Sequence, residues 1–121
     1  MIENLKWSNK EKNIEWTVGK DTMKIETELP PFSVILTEDC NNLAIVFSNE
    51  EYGNENAYLY SFDGNNCIKL VHPQSIRDVI CFHEIYYISG KLTAIIATSH
   101  CDFACEIDEK TGEIEKVYET R

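Results

Sequence analysis

The residue types able to do chemistry are few in this chain, and most stand where they suit contact better than catalysis. Ser99, His100 and Asp102 fall within one four-residue stretch. A nucleophile, base and orienting acid are brought together by folding rather than by adjacency, so this set is expected to be a loop. His100-Cys101-x-x-x-Cys105 has the ligand types of a zinc site. An extended chain would hold the two thiols about 13 Å apart, too far for one tetrahedral ion. His83 and Glu84 lie in a strand-like run, where neighbours alternate faces, so the pair is expected to point to opposite sides. No phosphate-cradling Gly-rich loop, nucleophile elbow or His-Glu-x-x-His is present, and the five glycines stand alone at turns. The expectation is therefore no enzyme, no catalytic residue, no metal and no cofactor.

Binding fits the side chains better. Glu50-Glu51-Tyr52-Gly-Asn-Glu55 sets three carboxylates around one aromatic ring, the mix of anchor and charge found at docking surfaces for basic targets. Asp and Glu together number 21 against 11 Lys and Arg, for a formal net charge of -10. Direct nucleic-acid binding is disfavoured, because neutralising phosphates takes clustered cations and these are scattered. An acidic surface instead complements a basic protein and speeds encounter with it.

The cysteines, at 40, 67, 81, 101 and 105, are odd in number. The start, Met-Ile-Glu-Asn-Leu-Lys-Trp, has neither a basic nor an apolar leader region. Reduced thiols and a cytoplasmic location are expected. Leu92 to Thr98 is far too short to span a bilayer, so no membrane partner is expected.

The elements that must position these residues read as strands throughout. Residues 1–121 are expected to form one all-β domain. Ile14 to Val18 and Met23 to Leu29 alternate apolar and polar around Gly19-Lys-Asp21, giving an N-terminal hairpin within 1–29 with a three-residue connection. Pro30-Pro31 ends it. Leu43 to Phe47 is continuously apolar and reads as a strand covered on both faces. Phe103, Cys105 and Ile107 share a face at period two.

Segments 32–71 and 79–118 repeat. Tyr58, Tyr60, Phe62 and Asp63 match Phe103, Cys105, Ile107 and Asp108 at an offset of 45 (58 to 103), and Leu43–Phe47 matches Leu92–Ala97. The turn at Asp63-Gly64 matches that from Asp108 to Gly112. Each segment reads as a four-stranded antiparallel unit, and a period near 45 is that of a propeller blade. The turn Asp108-Glu-Lys-Thr-Gly-Glu113 resembles the outer hairpins of quinoprotein-like and WD-type propellers, without the Gly-His and Trp-Asp dipeptides of the WD repeat. Two blades and a hairpin make a partial, or half, β-propeller; a β-sandwich is the alternative architecture.

In size, charge and this expected architecture the chain is similar to half-propeller immunity proteins of bacterial contact-dependent growth inhibition systems. That resemblance implies a cytoplasmic protein that binds one basic toxin domain, one-to-one. The toxin is often a nuclease, and the inhibitor covers its active site with an acidic surface. The alternative is an assembly module that completes a larger propeller by edge-strand pairing. In a blade, the loop between the second and third strands opens on the side of the connections between blades. That rule gathers Glu50, Glu51, Tyr52, Glu55, His100 and Asp102 into the expected partner-binding rim, with Glu28 and residues 72–78 beside them.

Overall fold

The computed structural model describes residues 1–120, and over these the chain is all-β apart from one helical turn. The first sheet is a meander of β1 (Glu3–Trp7), β2 (Asn13–Val18) and β3 (Asp21–Glu26). The second runs β4 (Ser33–Leu36), β5 (Asn42–Val46), β6 (Ala57–Ser61) and β7 (Cys67–Lys69), with α1 (Asn49–Tyr52) between β5 and β6. The third runs β8 (Val79–Ile88), β9 (Lys91–Thr98), β10 (Asp102–Ile107) and β11 (Ile114–Glu119). Every pairing is antiparallel and joins strands adjacent in sequence. Three sheets form, one more than a two-layer sandwich has.

The N-terminal unit is larger than the expected hairpin. Leu5 and Trp7 belong to a third strand, β1, whose pairing with β2 is broken by a bulge between Glu3 and Lys6. Asn4 sits there at φ 54, so alternation over five residues is interrupted and carries no period-two signal. The β2–β3 connection is Gly19-Lys20 alone, because Val18 pairs with Asp21. Gly19 at φ 60 supplies the positive dihedral that a two-residue hairpin turn requires.

The second sheet is the middle layer. On β5 and just after it, Leu43, Ile45 and Phe47 face the first sheet, packing with its Ile14 and Trp16. Ala44 and Val46 face the third, packing with Phe82, Leu92, Ala94, Ile96 and Cys105. Covering on both faces is why this strand is continuously apolar. Phe103, Cys105 and Ile107 do share one face, the one turned to the second sheet.

Side chains that seek backbone partners in the next sheet stitch the layers. Trp16, only 1% exposed, donates its indole N–H to the Phe62 carbonyl at 2.7 Å. The Tyr87 hydroxyl accepts the Glu38 N–H at 2.8 Å. At Gly112, φ 76, an added Cβ would stand 2.8 Å from Ile68 Cγ2, so the β10–β11 turn presses on β7 with no room for a side chain. Most consequential is Asn56, whose side chain is fully buried. It donates to the carbonyls of Phe47 and Phe82, both at 2.7 Å, and accepts the Phe82 N–H at 2.9 Å.

Two turns of the second sheet are built alike. In Thr37-Glu-Asp-Cys-Asn-Asn42 and Ser61-Phe-Asp-Gly-Asn-Asn66 the hydroxyl donates to the Asp two residues on, at 2.8 and 2.6 Å. Each hydroxyl also accepts the backbone N–H five residues on, at 3.1 Å in both. The fourth position is left-handed in both, Cys40 at φ 62 and Gly64 at φ 73. Residues 61–66 therefore match 37–42 more closely than the expected 108–112, where Asp108 caps the N–H groups of Lys110 and Thr111.

Two predictions follow from these bonds. Asn56→Ala leaves three buried backbone groups without that partner and should cost about 3 kcal/mol, read as a fall in the urea midpoint. Asn56→Asp loses both donors and should fare no better, so a near-neutral result for either denies the clasp its weight. The carboxylates of the three turns are each held below the usual range. The causes are chiefly the Asn41 N–H for Asp39, the Ser61 hydroxyl for Asp63 and the Thr111 N–H for Asp108. A lowered folded pKa gives stability that is present above about pH 4 and lost as pH falls through the folded values. The triple Asn variant of these positions should thus show a flatter urea midpoint between about pH 4 and 2 than the wild type.

Candidate protein-binding site

Because each sheet is a meander, its connections alternate between two ends. Residues 8–12, 27–32, 47–56, 70–78 and 99–101 gather at one end. The expected rim is therefore on one end of the molecule, Glu28 included, but its members do different jobs there.

α1 begins where Ser48 accepts the Glu50 N–H on its hydroxyl and ends where the Gly53 N–H reaches the Asn49 carbonyl. That single turn divides the three predicted residues it carries. Glu50 points to solvent and takes part in no ion pair among the described residues. Glu51 turns back: its carboxylate accepts the Glu28 N–H at 3.1 and 3.2 Å and the Leu29 N–H at 3.0 Å, tying the linker between the first two sheets to α1. Tyr52 stacks on Phe47 with ring centroids 4.1 Å apart and planes 12° from parallel. Tyr58 and Tyr60 stand edge-on to Phe47 at 5.7 and 6.3 Å. Burial, then the charge of Glu51, raises the Tyr52 phenol above its ordinary pKa, and burial pushes Tyr60 up to about 12. Tyr52 is thus a wall of the core rather than a free anchor.

The other predicted residues are also engaged. Glu55 pairs with Lys69 at 3.7 Å. His100 meets Asp78 at 3.4 Å, both exposed. Asp102 meets His83 Nε2 at 3.1 Å. A bulge lies between Phe82 and Glu84, one extra residue upsets the alternation, and His83 reaches across the sheet to β10.

His83 also lines a cleft of about 600 Å3, which the sequence did not reveal. One wall is Leu29-Pro-Pro-Phe32 of the linker, another is Ser48, Asn49 and Glu50, and Asn9 of the β1–β2 loop closes it. Phe32 is 37% exposed there. Of the six predicted residues, the cleft takes Glu50 directly and Asp102 through His83. Pro30-Pro31, the expected strand stop, also forms part of its wall. No three His, Cys, Asp or Glu side chains converge on a metal position among the described residues. Cys105 is buried in the core, and burial pushes its thiol up to about 11. No described helix is long and apolar enough to cross a membrane.

No protein-family model and no curated protein matches the sequence. Among solved structures, the chain is similar to one in "Structure of Tne2 in complex with Tni2". The TM-score is 0.70 at 19% identity, over 90% of this chain and 77% of that one. The fold is shared. It occurs there in a structure of two proteins in complex.

The Glu51 latch yields a prediction. Glu51→Ala should speed hydrogen exchange at the Glu28 and Leu29 amides roughly tenfold, the loss of about 1.5 kcal/mol of charge-assisted bonding. Glu50→Ala should leave both amides unchanged, and equal effects from the two variants would refute the latch.

Proposed function

We propose that this chain is an immunity protein that binds a toxin domain and neutralises it by covering its active site. The observation that carries this is the likeness of fold, at a TM-score of 0.70, to a chain from the Tne2–Tni2 complex. We read the three stacked meanders as blades of a partial propeller, of the kind found in contact-dependent growth inhibition immunity proteins. The chain acts in the cytoplasm, one copy to one toxin, and does no chemistry of its own. Its net charge of -10 supports a basic target, one whose active site is cationic because its substrate carries phosphate, as a nuclease's does.

The docking region we favour is the end that carries α1, centred on the cleft and Glu50, with His100 and Asp102 at its margin. Glu51 and Tyr52 support this region from behind, since their side chains are committed to the linker and the aromatic core. Edge pairing into a larger propeller is the weaker reading. The exposed edge strand β3 carries the charged pair Lys24–Glu26, and β7 is three residues long, both features that blunt an edge.

The decisive experiment co-expresses the chain with the toxin domain encoded beside its gene. Survival of the host, and a one-to-one complex by light scattering, are expected; death of the host with no complex overturns the proposal. With that complex in hand, reversing Glu28 and Glu50 to Lys should slow association about tenfold at low ionic strength, with the gap closing in high salt. Unchanged association at low salt would move the docking surface elsewhere.

A further inference from the structure

We propose that the cleft beside α1 is shaped to take an arginine side chain carried on a protruding loop of the protein partner. This rests on the proposed inhibitor role and names what the docking end grips. Among the described residues its lining contains no Lys or Arg. Glu55, Asp78 and Asp102 at this end already have cationic or imidazole partners, and Glu51 is spent on backbone N–H groups. Glu50 is the carboxylate that lines the cleft, and it is unpaired among the described residues.

The remaining groups favour a donor with several N–H bonds over a compact ammonium. The Asp102 carboxylate can only accept, so in neutral His83 the proton sits on Nε2, 3.1 Å away, and Nδ1 is left as an acceptor on a ring that lines the cleft. Asn9 and Asn49 add amide oxygens. Phe32, with the half-buried Pro30, presents an apolar surface beside these acceptors. A guanidinium stacks on such a surface while its edge donates to carboxylate and amide oxygens; an ammonium does not stack. At about 600 Å3 the cleft has room for the residues flanking the arginine as well.

The test is an amide NMR titration of the full chain with the capped tripeptide Gly-Arg-Gly, against the same peptide with citrulline, which keeps the shape and removes the charge. The arginine peptide should shift amides around Asn9, Phe32, Asn49, Glu50 and His83 at millimolar concentration. Citrulline should bind at least fivefold more weakly, and Glu50→Gln should weaken the arginine peptide by a similar factor. Glu11→Gln, an exposed acid at the same end but outside the lining, should leave the titration unchanged. No localised shifts up to 50 mM, equal response to citrulline, or equal loss in Glu11→Gln each overturns the proposal. Because the peptide does not depend on the toxin, failed protection by the chain with a positive titration would reject the inhibitor role while leaving the cleft's preference standing.

Discussion

A single buried carboxamide holds the layers in register. Asn56 behaves as a fragment of extra strand: it offers Phe82 a donor and an acceptor, as a neighbouring peptide would, and spends its second N–H on Phe47. The place is significant. β8 bulges immediately after Phe82, and the middle sheet must bring its β5–β6 connection against that interruption. In an apolar interior, backbone groups without partners are expensive, so third sheet and middle sheet can meet here only if something polar comes between them. Once they do, α1, the cleft and His83 follow in position, since all three hang from the same connection or the same bulge.

Strands whose neighbours cover them evenly were legible in the sequence. Leu43–Phe47 is apolar without a break because it is a middle strand of a middle sheet, and Phe103–Ile107 alternates because burial there is governed by a single face. The repeat between the second and third sheets is real at the level of strand order, since β6 and β10 are the third strands of matching meanders. What escaped notice was local irregularity. β1 hides behind a bulge at Asn4, α1 is one turn held by the Ser48 cap, and β8 carries two register shifts, one of them at His83. Periodicity averages over several residues and has no purchase on features one residue long.

For the candidate site, the acids were easy to find and their duties were not. Side-chain type says that Glu50, Glu51 and Glu55 are anionic; only geometry says that one latches a linker, one pairs with Lys69 and one has no ion pair among the described residues. Pro30-Pro31 carries two meanings at once. The prolines end pairing, as their missing N–H groups require, and the stiff segment so produced becomes a wall of the cleft. Rigidity on that wall and a capped turn on the other leave the cleft little conformational freedom.

The serial meander has a consequence for synthesis. A chain that emerges from its N-terminus completes the first sheet and the middle sheet before the third exists, since every ladder joins strands adjacent in sequence. The first core can close during translation, while Ala44, Val46 and Leu59 wait with one side bare for β8 and β9. Local pairing makes each layer quick to form, so the interval of exposure is set by the ribosome rather than by a search among distant strands.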